Sequence, residues 1–344
     1  MNKKIISSVL VAAMAVTMVG CQQNKPGSGD AKLPAVGATI YKYDDNFMSF
    51  VRTQMAKKAE KKLALTISDA QNDQAKLNEL VDGYISKGVK ALDINLVTPQ
   101  AASAIIDKAK PKNLPVIFFN KEPDEAALNS YDKAYYVGTR SSESGELQGK
   151  LVAEQWKKHP EWDRNKDGIM QYVMLKGEPG HPDAEARTKF SVESITKDGI
   201  KVQQMELQAA NWDTAKAKDI VDAWISKHGN KIEFVIANND AMALGALAAL
   251  EAAGFKGEKA IPIVGVDAIP DALTKIENGE MVGTVLNDAG NQAQAVIDLT
   301  LNLINGKAPT DGTNWKLEGK AVRVPYKAIT KDNLKEAKDS YGIK

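Results

Sequence analysis

One cysteine, three histidines and 6% aromatic residues leave this chain of 344 residues with few reactive side chains. The single thiol, Cys21, has no intrachain partner, which excludes internal disulfides and leaves stability to an apolar core. No Ser-His-Asp or Cys-His arrangement is suggested by the sequence. An excess of one charge sign is also missing. Lys and Arg number 45 against 44 Asp and Glu, interleaved throughout, for a formal net charge of +1. Nucleic-acid binders carry a basic patch to neutralise phosphates; none is visible, so no nucleic-acid partner is expected. The long apolar run from Ile5 to Val19 is too short to span a bilayer comfortably. What remains is a globular composition, 43% hydrophobic and 26% charged, in a chain long enough for two domains.

The apolar run follows Lys3 and Lys4 and ends in Met18-Val19-Gly20-Cys21, the layout of an export signal. It is either a plain secretory signal that happens to contain a cysteine, or a segment that resembles a bacterial lipoprotein signal. On the second reading residues 1–20 are removed and the Cys21 thiol is lipidated, although Met18 and Val19 depart from the usual Leu-Ala/Ser. Residues 21–33 then act as a flexible tether, since Gln22 to Lys32 (QQNKPGSGDAK) is polar and rich in Gly, Ser and Pro. The tether favours this reading: an exported protein, lipid-anchored on the extracellular or periplasmic face of the cell membrane.

Past residue 35, short apolar runs alternate with helix-like segments. Strands are predicted at Val36–Lys42, Leu63–Ser68, Ala91–Leu96, Pro115–Phe119 and Ala134–Gly138, then at Gln171–Lys176, Lys201–Leu207, Glu233–Ala237, Pro262–Val266 and Val282–Leu286. Between them, sets such as Leu77-Leu80-Val81-Tyr84-Ile85 and Ile220-Val221-Trp224-Ile225 follow helical spacing. The alternation implies α/β architecture with parallel sheets covered on both faces. So many units exceed one comfortable sheet, and two doubly wound lobes are expected. No strict residue-level repeat is present.

Polar, non-basic residues recur just beyond these strands: Asp45, Asn120, His181, Asn239, Asp267 and Asn287. Ligands of open parallel sheets bind beyond the carboxyl ends of the strands. Any one of the six is explained by a helix cap or a turn; together they point to a shared cleft. Asp183 and Arg187 add a carboxylate and a planar fork of donors, although their i,i+4 spacing also suits a helix-surface ion pair. Phe47 and Trp212 are candidates for flat walls against a sugar ring, with ordinary core packing as the alternative. These residue types suit hydroxyl groups. His181 as a general base, or two carboxylates as a glycosidase pair, would be enzymatic alternatives.

A second pattern starts at Asp163. Side-chain oxygens fall at loop positions 1, 3, 5 and 9 (Asp163, Asn165, Asp167, Gln171), with Gly168 at the sharp turn and the Ile169 carbonyl at position 7. Position 12, where a calcium loop brings a bidentate glutamate, is Met174. The loop is therefore a solvated turn, or its carboxylate comes from elsewhere in the chain. Magnesium, which favours a rigid octahedron, suits it less well.

The chain resembles the periplasmic-binding-protein family, in its branch of D-galactose/D-glucose receptors for ABC transport. The likeness runs from Val36 to Leu334 and is densest in IYKYDDNFMS, FFNKEP, YDKAYYVGT, WDRNKDG, LKGEPGHPDAEART, VIANNDAMA, GTVLNDA and DGTNW. It implies a type I fold whose lobes are joined by three crossovers, near 138–141, 287–290 and 321–326. Residues 34–139 and 288–322 would form the N-terminal lobe, and residues 140–287 and 323–344 the C-terminal lobe. The sugar would lie between Phe47 and Trp212, bonded by Asp45 and Asn120 on one side and by His181, Asp183, Arg187, Asn239 and Asp267 across the cleft, with Asn287 near a crossover. Asp45 would read the position-4 hydroxyl of either epimer. Structural Ca2+ would sit among Asp163, Asn165, Asp167, the Ile169 carbonyl and Gln171, with Glu233 as the bidentate carboxylate. Arg140, where a close relative has an acid, is a departure near the first crossover.

The implied function is non-enzymatic: a monomeric receptor that captures D-glucose or D-galactose by hinge closure and presents it to an ABC permease, with a chemoreceptor as a second reader. A sugar-sensing regulator, or another pentose- or hexose-binding receptor of the same fold, is the alternative.

Overall fold

The computed structural model describes residues 32–343; the signal segment, Cys21 and the tether up to residue 31 lie outside the described residues. Strands and helices alternate from the start: β1 (Ala35–Ile40), α1 (Asn46–Ala59), β2 (Ala64–Asp69), α2 (Gln74–Ser86), β3 (Ala91–Ile94), α3 (Ala102–Ala109), β4 (Val116–Phe119), α4 (Glu125–Asn129) and β5 (Ala134–Gly138). The second series is α5 (Ser141–Lys158), β6 (Ile169–Lys176), α6 (Pro182–Lys197), β7 (Lys201–Ala209), α7 (Thr214–His228), β8 (Phe234–Ala237), α8 (Asp240–Ala252), β9 (Ile263–Val264), α9 (Pro270–Glu277) and β10 (Thr284–Leu286). The chain closes with α10 (Ala289–Ile304), β11 (Leu317–Glu318), β12 (Ala321–Arg323), β13 (Lys327–Ile329) and α11 (Leu334–Tyr341).

Two sheets result. The first has the order β11-β12-β5-β4-β3-β1-β2, parallel except for the β11/β12 pair. The second has the parallel order β7-β6-β8-β9. Bridges from Val264 to Gly283 and from Asp267 to Leu286 set β10 beside it, and β13 pairs antiparallel to β10. Both sheets therefore place their first strand, β1 or β6, between the second and third. That reversal of winding opens a crevice at the carboxyl ends of the strands.

Burial follows from sequence. Val116-Ile117-Phe118-Phe119 is fully buried, as expected of a central strand covered on both faces, whereas β7 exposes much of its length at a sheet edge. Leu77, Val81 and Tyr84 turn one face of α2 inward, and Ile220, Val221 and Trp224 do the same for α7.

The chain passes between the sheets after β5, after β10 and after β12. At the third passage the structure corrects the expected boundary. Arg323 pairs with Gly138 in the first sheet, so that lobe extends one residue beyond 322 and the passage itself is 324–326. Strands β11, β12 and β13 were not expected from sequence. With two or three residues each, they are too short to carry an apolar period.

Candidate functional site

A cavity of about 320 Å³, counted together with the solvent at its opening, lies at the carboxyl ends of both sheets. Its walls contain all ten residues singled out above as ligand contacts: Asp45, Phe47 and Asn120 from the first lobe; His181, Asp183, Arg187, Trp212, Asn239, Asp267 and Asn287 from the second lobe and its passages. Tyr41 and Met48 complete the lining.

Three of the ten are helix caps as well. Asp45 Oδ1 accepts Met48 N–H at the start of α1, His181 Nδ1 accepts Asp183 N–H at α6, and Asn239 Oδ1 accepts Met242 N–H at α8. Capping and lining are compatible here because each cap uses one atom and leaves another for the cavity. Asn239 keeps its Nδ2 donors, and Asp45 keeps Oδ2, which also accepts the Tyr41 hydroxyl.

Burial sets the protonation of this wall. It drives the His181 imidazole down to about 3, with the charges of Lys121 and Arg187 adding to the effect against Asp183. His181 is therefore neutral, and because Nδ1 accepts a backbone N–H its proton sits on Nε2. This makes it a donor and disfavours the general-base alternative. Burial also raises the Asp45 carboxyl, which hydrogen bonds from Tyr41 and Met48 only partly offset. Asp267 is raised further by burial, with Arg187 opposing.

Arg187 is 3% exposed and Asp183 5%, so their 3.2 Å pairing is no surface ion pair. Four of the five guanidinium hydrogens have partners. Nε reaches Ser144 Oγ at 3.2 Å, Nη1 the Asn238 carbonyl at 2.8 Å, and Nη2 both Asp183 at 3.2 Å and the Tyr326 hydroxyl at 3.1 Å. One Nη1 hydrogen is left on the side of Asp267, whose carboxylate lies 3.8 Å away. Burial opposes the Arg187 charge, but Tyr326, Asp183 and Asp267 together hold its pKa above the ordinary value.

Backbone strain gathers at the same place. Asn120, Trp212 and Asp267 have φ of 64°, 66° and 120°, a region that side chains other than glycine rarely occupy. Trp212 also needs Gly177 beneath it, because a Cβ there would come within 2.1 Å of the indole. The ring stands edge-on to His181 at 5.2 Å.

Comparison with known proteins agrees with this geometry. Residues 36–308 match the periplasmic binding protein domain. The chain belongs to the periplasmic-binding-protein family. It is 51% identical to the D-galactose/methyl-galactoside binding periplasmic protein of Haemophilus influenzae, over 97% of this chain and 98% of that one. The ribose import binding protein of Bacillus subtilis is 26% identical over 96% and 98% of the two chains. A solute binding protein of Bacillus halodurans, crystallised with myo-inositol, superposes with a TM-score of 0.75 at 27% identity, covering 91% of this chain and 100% of that one. The fold is thus the type I periplasmic-binding-protein fold, two α/β lobes built on parallel sheets.

Sequence reading missed several residues of this family member's site. Tyr41 stands four residues before Asp45 in the same string, which was a usable signal. Lys121, Ser141 and Tyr326 touch the lining residues Tyr41, Asp183 and Arg187 through contacts that span 42 to 139 positions and leave no local pattern.

The loop before β6 brings the other predicted set together. Asp163 accepts the N–H groups of Asp167 and Gly168, and Asp167 accepts that of Ile169 and the amide groups of Asn165 and Gln171. Gly168 makes the turn with φ of 74°. Glu233, 1% exposed, lies 62 positions from Gln171 yet accepts its N–H at 3.1 Å, and accepts that of Arg164 at 2.7 Å. Among the described residues no three Asp, Glu, His or Cys side chains form a ready metal cluster; the carboxylates here are interleaved with amides and a carbonyl. Burial raises the Glu233 carboxyl, the backbone N–H groups of Gln171 and Arg164 oppose that rise, and the Asp163 charge adds to it. An all-oxygen set of this kind fits a hard cation.

Proposed function

We propose that this protein is the receptor of an ABC sugar importer, capturing D-galactose or D-glucose between its lobes without chemical change. One observation carries the reading: ten polar and aromatic residues, drawn from both sheets, line a single small cavity that neither lobe could form alone. Asp45, Asp183 and Asp267 offer carboxyl oxygens as acceptors, while neutral His181, the remaining Arg187 hydrogen and the Asn120 and Asn239 amides offer donors. A ring of hydroxyls needs both. Phe47 and Trp212, from opposite lobes, supply apolar surface for the C–H faces of the ring. Contacts made by both lobes exist together only in the closed form, so sugar shifts the population toward it, and the permease reads that form. The name of the Haemophilus influenzae relative supports galactose; on the family resemblance, Asp45 would accept the position-4 hydroxyl of either epimer.

The same reading assigns Ca2+ to Asp163, Asn165, Asp167, the Ile169 carbonyl, Gln171 and Glu233. When bound, the ion would neutralise the carboxylates and tie the loop to the strand at Glu233. It also assigns export by residues 1–20 and lipid anchoring through Cys21, with the receptor acting as a monomer. Among the described residues, no helix is long and apolar enough to cross a membrane.

Calorimetric titration of the purified protein with D-galactose, D-glucose, ribose and maltose tests the assignment. The two hexoses should bind far more tightly than the others, since each buried polar group left unpaired costs about 1–3 kcal/mol. Equal affinity for ribose and galactose would sink it.

A further inference from the structure

Tyr326 lies in the third passage between the lobes, behind the cavity wall. Its ring packs with Val266 and Val285 and is 5% exposed. Its hydroxyl is placed between two distant parts of the chain. Thr139 Oγ1, in the first passage, donates to Tyr326 Oη at 2.9 Å, and Arg187 Nη2 donates to the same oxygen at 3.1 Å. The next residues repeat the link, because Ser141 Oγ donates to Asp183 Oδ1 at 2.6 Å and Asp183 holds Arg187 Nη2. Two of the three passages are thus hydrogen-bonded to the groups that present Arg187 to the cavity.

We infer that Tyr326 is a positioning residue that couples the angle between the lobes to the orientation of Arg187. This rests on the reading of the cavity as a sugar site. The passages are the segments whose dihedral angles change when the lobes swing. Arg187 rides on α6 of the second lobe, whereas Thr139 directly follows β5 of the first. One oxygen can bond both only over a narrow range of lobe angles. The node is buried, so a lost bond is poorly replaced by solvent. Closure therefore fixes Arg187, and a correctly bonded Arg187 favours closure. A merely space-filling role would need only the ring.

Tyr326→Phe separates these roles, because it keeps the ring and removes the oxygen. In the mature protein the variant should melt, without sugar, within a few degrees of wild type, yet bind D-galactose about tenfold more weakly. A distance measured between one spectroscopic label on each lobe should show a smaller closed fraction at equal sugar occupancy. Thr139→Val should act in the same direction, and the double variant should be no worse than the weaker-binding single one, as expected for residues sharing one bond. Unchanged galactose affinity in Tyr326→Phe, with or without a lowered melting temperature, would overturn the inference. Fully additive losses would overturn it too. Failure of the wild type to bind either hexose would instead overturn the sugar reading on which it rests.

Discussion

Lys121 of the first lobe reaches Glu178 of the second, Nζ to Oε2, at 2.9 Å. Lys121 follows Asn120 at the end of β4, and Glu178 follows β6, so the pair spans the mouth of the cleft. The ammonium is 2% exposed, also bonds the Val97 carbonyl at 2.9 Å, and lies over the Tyr41 ring. Glu178 keeps 31% exposure, which discounts the pair relative to a fully buried one. Glu178→Gln should weaken galactose binding by up to about tenfold, mostly through faster dissociation, because the closed state alone is affected. Stopped-flow dissociation rates would show this, and an unchanged rate would remove the pair from the closing contacts.

His181 predicts an unusual pH profile. A free imidazole would lose its neutral form near pH 6.5, but burial brings this one to about 3. Protonation of His181 should therefore leave sugar affinity unchanged near pH 6.5 and lower it only near pH 3 to 4; a step between these values belongs to Asp45 or Asp267, whose carboxyls burial raises. Stability runs in the same direction. Between about 3 and 6.5 the unfolded state binds a proton that the folded imidazole does not, so stability falls as the pH is lowered through that window. The NMR chemical shift of the His181 ring followed from pH 4.5 to 8 checks the first point; a midpoint near 6.5 would mean that His181 is solvated.

Much of this was legible in the sequence, for identifiable reasons. Fully buried parallel strands read as short apolar runs, so Asn120 after VIFF and Asp267 after IV stood out as polar residues at the strand ends. A likeness between the lobes did not stand out, because it rests on backbone geometry and on single residues widely spaced in the sequence. Asn120 and Asp267 share a positive φ, and each gives its carbonyl to a tyrosine hydroxyl, Tyr136 at 2.7 Å and Tyr341 at 3.0 Å. Asn95 and Asn238 are both fully buried after a third strand, accepting the N–H of Tyr41 and of Gly177. Arg140, the departure near the first crossover, left hinge energetics and partner contacts open in the sequence. In the structure it pairs with Glu318 of β11 at 2.6 Å, in the open, where such a pair contributes little to stability.

Asp93 gives a stability test independent of the cleft. It is fully buried in β3, accepts the Thr300 hydroxyl on Oδ1, and has no partner for Oδ2 among the described residues. Burial raises its carboxyl from 3.8 to about 7, with Thr300 opposing. The folded state therefore holds a proton that the unfolded state has lost, and this group's contribution falls as pH rises from about 4 through 7. Asp93→Asn should differ least from wild type near pH 4 and be the more stable of the two at pH 8.5, by on the order of a few kcal/mol. Identical differences at both pH values would show that Asp93 is ionised throughout.

The calcium assignment makes the last prediction, since it joins segments far apart in sequence. Asp163, Asp167 and Glu233 carry three formal negative charges, and burial plus the Asp163 charge already raises Glu233. A bound cation relieves that repulsion and stabilises the folded state by mass action, about 2.7 kcal/mol at a hundredfold excess over its dissociation constant. Chelation should lower the melting temperature by about 5–10 °C, and calcium should restore it. Glu233→Gln tests the ligand set, but its own melting temperature is a poor readout. Both carboxylate oxygens accept backbone N–H groups, from Arg164 and Gln171, so a glutamine must turn its NH2 toward one of them and loses stability without any metal. The informative quantity is the calcium-induced rise, which should shrink strongly in the variant while galactose affinity stays close to wild type, because none of these residues lines the cavity. If wild type and Glu233→Gln gain equally from calcium, the ion binds elsewhere; if neither gains, Asp163 to Gln171 is only a turn.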